Sequence, residues 1–596
     1  MNSQAYLRFL RPYLYRIAPA RAAVYTRFSS ISSRGLVQGR DLANSGSRKS
    51  PCTRRLHVVA AKRAAGSHSD APSTVPTTTA AVRQVVVDSR VQKLKQCGAL
   101  HYPRLGDRPN RISIPGFRER YRDESSTPAE EIVLLEGRVM SVRRSASKLV
   151  FLTILGQYQQ VQVMISLSSI AEPKPTPQQF KDALHPYLRG DIVSVTGTAV
   201  RTKAGELTLK AINMPSLLAP GLAQLPEDLF NHETMVLNKH IDMLIHRRTS
   251  NIFRLRSHII KAMRDFFHER DFLEVQTPIL ADYASGAAAR PFLTSAAELH
   301  HKELALRIAP ELWLKRLVVG GNDKVFEIGP AFRNEGIDTT HNPEFTICEF
   351  YSAYSNLSEL ISITEDFVTR LFQKTKRLVE TEFESLEGPR MDLPEGNWEQ
   401  VEFIPALEEV LGFKFPDLSL PDALPKLIEL LDGRVKIEQG PELTLAKLLD
   451  DTAGQYLEPR SQEKPLFIIH HPACMAPLSK SFTCPKTGQL VSARAELFIK
   501  AREIANMYEE ENDPFEQRRK FELQLASRSH QSGEANGDAL EVDESYVRAL
   551  EIGLPPTGGW GCGVDRLIML LSGAPRIGET LSFGTLKNVV ALRAAA

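Results

Sequence analysis

The stretch 326–351, which reads FEIGPAFRNEGIDTTHNPEFTICEFY, most strongly limits the structures that this chain can adopt. Apolar residues alternate in its first part, and extended character resumes after a polar loop that contains glycine, asparagine and proline. The pattern predicts two strands joined by a loop, with Arg333 at the end of the first strand. Glu349 and Tyr351 are two residues apart, so their side chains share one face of the second strand. A groove that combines a cation with carboxylates is therefore expected; the alternative is a surface hairpin with solvated charges.

Two other segments carry informative patterns. Residues 558–566, GGWGCGVDR, read as a glycine-rich strand that turns into a helix near Arg566. Residues 252–266 place apolar side chains at helical spacing, and a short strand at 272–275 and a proline follow. The sequence therefore predicts a helix with a short strand before the strand pair and a strand–helix unit after it.

These three segments resemble motifs 1, 2 and 3 of the class II aminoacyl-tRNA synthetases, and they occur in the family's order. The wording FRNEG, THNPEFT and CEFY is similar to that of the lysyl-tRNA synthetases. The resemblance covers about residues 130–590. It implies a catalytic domain with an antiparallel sheet flanked by helices, and a homodimer formed through the motif 1 helix and strand.

A small β domain precedes the catalytic motifs. Turns with glycine or proline separate five apolar or alternating runs, which are 132–135, 149–154, 161–165, 192–200 and 207–212. Five strands in this length predict an OB-fold barrel, which the family uses to bind the anticodon. By resemblance, Phe151 is a candidate for stacking on a base, and Arg144, Gln162 and Glu206 are candidates for reading base edges. Each of the four could instead be an ordinary barrel residue.

The fold class is thus predicted as α+β, with an N-terminal OB-fold β-barrel followed by a class II synthetase catalytic domain. A chain of 596 residues exceeds what one hydrophobic core supports. The predicted boundaries are a leader at 1–70, a linker or N-terminal extension at 71–125, the OB-fold at 126–216, a linker at 217–248 and the catalytic domain at 249–596.

The leader has the composition of a transit peptide. Its first 40 residues contain seven arginines, no aspartate or glutamate, and a cluster of serines. Import driven by the membrane potential favours such a basic, hydroxylated segment, which indicates a mitochondrial matrix protein. The alternative is a basic arm that binds nucleic acid, including tRNA.

The remaining composition excludes several classes of protein. Residues 1–70 hold eleven arginines and two lysines against two aspartates, so the rest of the chain is acidic and RNA contact there needs a local basic patch. No apolar run reaches the roughly 18 residues of a membrane helix, so no membrane insertion is expected. Six cysteines form no disulfide framework, and the histidines and cysteines near position 474 lack the spacing of a zinc site.

The resemblance implies a two-step reaction. The carboxylate of L-lysine attacks the α-phosphate of ATP to give lysyl-adenylate and pyrophosphate, and a terminal ribose hydroxyl of tRNA(Lys) then attacks the adenylate. Such chemistry needs positioning and charge stabilisation more than a protein acid or base. Arg333 and Arg566 are the expected catalytic residues, because a planar cation suits phosphate and carboxylate. The resemblance completes the ATP site with Glu335, His341, Asn342, Phe345 and Glu496.

Two carboxylates are candidates for binding Mg²⁺. A hairpin turning at residues 499–500 would place Glu496 directly opposite Glu503, and a helix would also align them, because seven residues make nearly two turns. Like charges at this distance are unfavourable unless a cation bridges them, and hard oxygen ligands suit Mg²⁺ with ATP. Two solvated surface glutamates are the alternative.

Acidic residues indicate which amino acid the site accepts. Aspartyl and asparaginyl relatives must bind a carboxylate or an amide and should carry a cation there, whereas this chain supplies Glu349 and Glu510 for an ammonium group. Glu311 and Gly286 are expected at the α-amine, and Asn506 at the carboxylate. The full set implied by the resemblance is Gly286, Glu311, Arg333, Glu349, Tyr351, Asn506, Tyr508, Glu510 and Gly563.

Three positions depart from the family pattern. Ala476 stands where a hydroxyl residue is usual, Lys239-His240 replace an arginine-rich stretch, and Gly584 replaces a proline. These changes affect no predicted catalytic group. Two other classes of function remain as alternatives: a non-catalytic RNA-binding factor, which should show damage in the motifs, and a ligase for protein lysines, which should lack the anticodon domain.

Overall fold

A computed structural model describes residues 80–123, 131–282, 289–299, 302–436, 443–529 and 542–594. The predicted leader and Gly286 lie outside this part of the chain. Among the described residues, no helix is both long and apolar enough to span a bilayer. The described cysteines are free thiols; Cys348, Cys484 and Cys562 are buried, whereas Cys97 and Cys474 are exposed.

The first sheet is a closed barrel, as the sequence predicts. Strand β1 pairs with β2 on one side and with β4 on the other, so β1 to β5 close on themselves, and β6 extends the sheet beside β4. Inward positions alternate with outward ones along each strand, and the inward valines, leucines and isoleucines form the barrel core. The strands are β1 (Ile132–Ala146), β2 (Leu149–Gly156), β3 (Gln159–Ser166), β4 (Ile192–Arg201), β5 (Leu207–Ala211) and β6 (Ser216–Ala219).

Two helices before the barrel pack against it. They are α1 (Ala80–Gln96) and α2 (Ile114–Arg120), within the segment predicted as a linker or extension. Leu94, Phe117 and Tyr121 are fully buried in the barrel core. Arg90 forms an ion pair of 3.1 Å with Asp191, whose side chain is inaccessible to solvent. Through Leu94, Phe117 and Tyr121, the segment before β1 therefore forms part of the barrel's hydrophobic core.

The insertion between β3 and β4 also packs against the barrel. It contains α3 (Pro177–Leu184), which begins at a capping box formed by Thr176 and Gln179. Phe180 and Leu184 point from this helix into the barrel core. The proline-rich insertion therefore contributes apolar side chains to the barrel core.

The catalytic domain contains an eight-stranded sheet in the order β13-β14-β17-β18-β19-β12-β11-β7. Its central pairs are antiparallel, whereas β7 and β13 pair in parallel at the two edges. The strands of the domain are β7 (Leu273–Glu274), β8 (Leu280–Ala281), β9 (Leu293–Ser295), β10 (Glu303–Leu306), β11 (Lys324–Phe332), β12 (Glu344–Ala353), β13 (Glu399–Glu402), β14 (Leu466–Ile469), β15 (Ser481–Thr483), β16 (Leu490–Ser492), β17 (Arg494–Phe498), β18 (Glu503–Glu509) and β19 (Thr557–Gly563).

Helices surround this sheet. They are α4 (His232–Leu237), α5 (Lys239–Ile245), α6 (Arg247–His268), α7 (Glu311–Val319), α8 (Leu357–Thr381), α9 (Phe403–Leu411), α10 (Ala423–Leu431), α11 (Leu445–Tyr456), α12 (Pro514–Ser529), α13 (Glu544–Gly553), α14 (Val564–Ser572), α15 (Ile577–Thr580) and α16 (Leu586–Ala594). The apolar stripe predicted for the motif 1 segment is confirmed, because it forms the buried face of α6.

An aromatic cluster joins α6 to the centre of the sheet. Phe350 of β12 stacks on Trp560 of β19 with ring centroids 5.1 Å apart, and Phe267 of α6 contacts both rings. Helices α6, α8 and α14 thus cover one face of the sheet. Since side chains alternate along a strand, the neighbours Glu349 and Tyr351 face the opposite side.

The buried Arg90–Asp191 pair generates a prediction. Asp191→Ala leaves the arginine charge buried without a partner and removes the acceptor for the N–H groups of Leu188 and Gly221. We expect the barrel to lose about 3–5 kcal/mol, measured by native-state hydrogen exchange of its strand amides. Asp182→Ala, at an exposed position of α3, is the matched control. Unchanged exchange in the Asp191 variant would show that the Arg90–Asp191 pair does not stabilise the barrel.

Candidate active site

The open face of the sheet holds a cavity of about 510 Å³. Strand β19 forms its floor, and it pairs with β12 on one side and with β18 on the other. Gly561 lies between Glu349 and Asn506 in the register, and Gly559 lies between Tyr351 and Tyr508. The glycines therefore leave space between two rows of polar side chains.

Steric contacts explain why this strand is rich in glycine. A Cβ at Gly559 would overlap the Oε1 atom of Glu510 and lie 2.7 Å from the Tyr351 ring. At Gly558 a Cβ would lie 3.0 Å from Leu360 on the other face. Side chains at these two positions would displace the walls of the cavity or the core behind it.

Arg333 lies where the sequence predicts it, directly after β11. Its guanidinium lies 5.2 Å from the centre of the Phe345 ring, and its buried Nε atom has no hydrogen-bond partner among the described residues. No carboxylate in the described ranges forms an ion pair with it. Its remaining donors face a cavity that Phe345 also lines. Arg333 and Phe345 can therefore bind a ligand that carries an anionic group next to a planar ring.

Arg566, in the first turn of α14, takes part in a polar network at the cavity. It donates to Glu503 at 3.1 Å and to Nε2 of His341 at 2.6 Å. Because arginine can only donate, Nε2 accepts, and the neutral ring places its proton on Nδ1, 2.8 Å from Asp338. Burial opposes ionisation of Asp338, yet the Thr340 amide and the His341 ring lower its pKa to about 2. Arg566 is thus held by groups that an anionic ligand could replace.

The other predicted nucleotide residues lie on the same loop. Glu335, His341 and Asn342 line the cavity, and Glu335 and His341 are exposed. The Asn342 side chain accepts a hydrogen bond from the Leu586 amide at 2.9 Å. This contact joins the loop to the C-terminal helix α16.

The predicted register of the two metal candidates is wrong. Strands β17 and β18 do form a hairpin, which excludes the helical alternative, but Glu496 pairs with Asn506, and Glu503 pairs with Phe498. The turn has positive φ at Lys500 and Ala501, and a bulge follows Leu497. The two-residue turn is thus Lys500-Ala501 rather than Ile499-Lys500, which shifts the pairing from its start, and the bulge shifts the pairs beyond it further.

Different partners bind the two carboxylates. Glu496 accepts from Arg494 and from Nε2 of His471 at 3.1 Å, and the Arg494 charge and the His471 ring lower its pKa despite burial, whereas Glu503 binds Arg566. Burial first, and then the charges of Glu496 and Glu503, raise the pKa of Asp450 to about 6. The described residues contain no group of three or more metal-ligating side chains. The carboxylates of Asp450, Glu496 and Glu503 nevertheless suit the binding of a divalent cation that enters together with an anionic ligand.

Glu349 is the acidic group at the inner end of the cavity. It is 6% exposed, and its hydrogen-bond partner in the structure is the Tyr351 hydroxyl, which donates at 3.3 Å. Burial, and then the charge of Glu311, raise the pKa of Glu349 to about 8, although Arg333 opposes the shift. This carboxyl group has no ion-pair partner among the described residues. It can receive a cation.

Glu311 and Glu510 differ from Glu349 because a lysine of the chain binds both. Lys315 lies 2.6 Å from Glu311 and also pairs with Glu510. Glu311 lines the cavity and accepts from the Tyr508 hydroxyl at 2.6 Å, whereas Glu510 is 1% exposed and lies behind the wall. Lys315 was not predicted from the sequence, although it lies four residues after Glu311, a spacing that brings two side chains together on a helix.

The remaining predicted lysine-site residues lie beside these acids. Asn506 accepts from Nε of Arg494 at 3.1 Å, so its amide nitrogen is the group left for a ligand. Gly563 ends β19 at the mouth of the cavity, next to the first turn of α14. The structure therefore brings the described part of the predicted set around one cavity, with Glu510 behind its wall.

The anticodon candidates divide between two faces of the barrel. Phe151 and Gln162 share the outward face of β2 and β3, and Gln162 donates to Glu206 at 2.9 Å. Arg144 pairs in register with the buried Val150 and donates to the Leu184 carbonyl. Arg143 is the residue opposite Phe151, with its guanidinium 4.7 Å from the ring centre. The sequence prediction, made by resemblance, named the neighbouring Arg144; the register of β1 places Arg143 beside Phe151.

The structure describes all three places where the chain departs from the family pattern. Gly584 has a φ of 77°, which proline cannot adopt. Lys239 is 4% exposed and lies 3.9 Å from Asp242, so it is a buried residue. Ala476 lines the cavity, where the absence of a hydroxyl makes the wall less polar.

Comparisons with known proteins agree with this geometry. The model of the family "tRNA synthetases class II (D, K and N)" matches residues 231–587, and that of the "OB-fold nucleic acid binding domain" matches residues 133–215. The chain is 38% identical over 509 residues to the mitochondrial lysine–tRNA ligase of Schizosaccharomyces pombe, covering 84% of this chain and 93% of the relative.

Bacterial and cytoplasmic relatives are nearly as similar. The lysine–tRNA ligase of Listeria monocytogenes is 36% identical over 487 residues, which cover 80% of this chain and 92% of the relative. A probable cytoplasmic lysine–tRNA ligase of Encephalitozoon cuniculi is 36% identical over 525 residues, covering 84% and 96%. With its OB-fold barrel, its class II catalytic sheet and these relatives, the chain belongs to the lysine–tRNA ligase family of the class II aminoacyl-tRNA synthetases.

Proposed function

We propose that the cavity binds ATP and L-lysine, forms lysyl-adenylate and transfers the lysyl group to tRNA(Lys). The observation that carries this proposal is the buried Glu349, which has no ion-pair partner among the described residues and lines the same cavity as Arg333. The distribution of charge matches an amino acid with a cationic side chain and a reacting carboxylate.

The first step joins the two substrates. A carboxylate oxygen of lysine attacks the α-phosphorus of ATP, a P–O bond forms, and the bond to the β-phosphate oxygen breaks to release pyrophosphate. Arg333, whose donors are not used by a carboxylate of the described chain, binds both the α-phosphate and the lysine carboxylate. It lowers their mutual repulsion and stabilises the charge of the transition state.

The nucleotide binds beside the same arginine. Phe345 stacks on the adenine ring, and Arg566 exchanges Glu503 and His341 for the γ-phosphate. Glu335 and Asn342 complete the pocket. Because Arg566 is already held at the mouth by two hydrogen bonds, it needs only a local rearrangement to reach a bound triphosphate.

Glu496 and Glu503 would hold Mg²⁺ when ATP binds. Glu503 becomes available when Arg566 turns to the phosphate, whereas Glu496 must share its charge with Arg494 and His471. When bound, the ion offsets the negative charge of the triphosphate.

Acidic side chains select lysine. Glu349 and the Tyr351 hydroxyl bind the ε-ammonium group, Glu311 and Gly286 the α-ammonium group, and Asn506 the carboxylate. Tyr508, Gly563 and Glu510 support these contacts. An aspartate or asparagine substrate would leave Glu349 without a cation in a buried site, which is strongly unfavourable.

The barrel binds the anticodon through its outward face. Phe151 stacks on a base, and Gln162 and Glu206 form hydrogen bonds with base edges, while Arg144 supports α3 at the end of the barrel. We further propose that residues 1–70 direct the protein to the mitochondrial matrix and that α6 and β7 form a homodimer interface. The mitochondrial relative and the arginine-rich, acid-poor first 40 residues support the matrix location.

Pyrophosphate–ATP exchange tests the activity. Protein lacking residues 1–70 is assayed with Mg²⁺ and each of the twenty amino acids. We expect exchange with lysine alone, because only lysine brings a side-chain ammonium of the right reach to Glu349. Exchange with aspartate or asparagine would contradict the pocket assignment. Absence of exchange in folded protein would favour a non-catalytic RNA-binding function.

Substitution of the inner carboxylate tests specificity. In Glu349→Gln we expect the KM for lysine to rise about 100-fold or more, since the ammonium loses its counter-charge, while the KM for ATP stays unchanged. The variant should be at least as stable as the wild type, because the empty site buries an acid without an ion-pair partner. Glu344→Gln, exposed at the start of the same strand, is the control. A wild-type KM for lysine in Glu349→Gln would contradict the role of this residue.

A further inference from the structure

Lys315 is a fully buried lysine, with a side chain that is 0% exposed. It lies on α7, one turn after Glu311, and binds Glu311 and Glu510. These two acids raise the pKa of Lys315 although burial opposes the charged form. Without such partners, the free energy that an ammonium group loses on leaving water would far exceed the free energy that it could regain inside the protein. Lys315 is therefore a fixed positive charge directly behind the cavity.

Aromatic rings enclose this charge. The Nζ atom lies 5.8 Å from the centre of the Tyr351 ring and 5.7 Å from that of Tyr508, two residues that line the cavity. The hydroxyl of Tyr508 donates to the same Glu311 oxygen that Lys315 binds. Lys315 thus contacts one acid of the cavity wall and two of its rings without lining the cavity itself.

The charges of the cluster are incomplete without a ligand. Lys315 supplies one ammonium group, which pairs with Glu311 and Glu510, and Glu349 is a third carboxyl group that interacts with Glu311. When all three carboxyl groups are ionised, two negative charges remain without a counter-charge, and the lysine substrate carries two ammonium groups. Glu311 and Glu349 line the cavity, whereas Lys315 and Glu510 do not. Lys315 and Glu510 therefore form an ion pair behind the cavity wall, and Glu311 and Glu349 are the two acids that a ligand can reach.

We propose that Lys315 is a positioning residue for amino-acid recognition, which holds Glu311 at the cavity wall and Glu510 behind it so that two ammonium groups are required to complete the cluster. This inference rests on the proposed function. Without Lys315, Glu311 loses its ion-pair partner, is no longer fixed at the cavity wall and no longer holds the α-ammonium group. The consequence is weaker lysine binding with little change in ATP binding.

The test uses two variants of the otherwise unchanged protein. Lys315→Met keeps the length of the side chain and removes its charge, but it leaves Glu510 buried without a partner and can unfold the domain. The double variant Lys315→Met/Glu510→Met removes the whole ion pair, a replacement that buried pairs often tolerate. Arg316→Met, the next residue on α7, is the control and should retain the wild-type KM for lysine.

Lysine-dependent pyrophosphate exchange is the readout. In the folded double variant we expect the KM for lysine to rise about tenfold or more, with the KM for ATP and the maximal exchange rate within about threefold of wild type. A wild-type KM for lysine in the folded double variant would overturn the proposal. Equal losses in both KM values and in rate would also overturn it, since they indicate a structural role only.

Chemical rescue separates charge from packing. In Lys315→Ala, added propylammonium should lower the KM for lysine towards the wild-type value, whereas propanol, of similar size, should not. Rescue by both compounds, or by neither, would contradict a requirement for the ammonium group. If the wild-type protein itself shows no lysine-dependent exchange, the proposed function fails, and this result is distinct from any outcome of the variants.

Discussion

The structure of the site depends on the antiparallel pairing of β19 with β12 and β18. This strand contributes glycines where its neighbours contribute Glu349, Tyr351, Asn506 and Tyr508, so polar groups from two strands face one space. The reverse face of the same strands carries Phe350 and Trp560, which stack in the core. One set of backbone hydrogen bonds therefore fixes both the hydrophobic core and the spacing of the functional side chains.

Burial of charge is the second determinant of the site. Lys315 forms ion pairs with Glu311 and Glu510, whereas the hydrogen-bond partner that the described residues offer the buried Glu349 is a tyrosine hydroxyl. A buried acid without a cation costs folding free energy, and its raised pKa expresses this cost. A lysine ammonium would remove it on binding. Affinity for the substrate and reduced stability of the empty site thus have the same physical origin.

Much of this arrangement follows from the sequence, and the exceptions have physical causes. Alternation within 326–351 predicts the strand pair and the shared face of Glu349 and Tyr351, because a strand has a fixed period of two. The register of Glu496 and Glu503 could not be predicted, since the turn lies one residue later than expected, at Lys500-Ala501, and a bulge shifts the pairs beyond it further. Lys315 was overlooked because its partner Glu510 is distant in sequence. The packing of α1 on the barrel likewise depends on a long-range contact, between Arg90 and Asp191.

The central claim is that the empty site contains a protonated Glu349 that ionises when the ammonium group of lysine binds. Calorimetry of lysine binding at pH 7, in buffers with different ionisation enthalpies, measures this directly. With the pKa of Glu349 near 8 in the free protein, binding should release close to one proton at pH 7 and progressively fewer as the pH rises above 8. The Glu349→Gln variant should release none from this position. Lysine binding without proton release at pH 7 in the wild type would contradict the account.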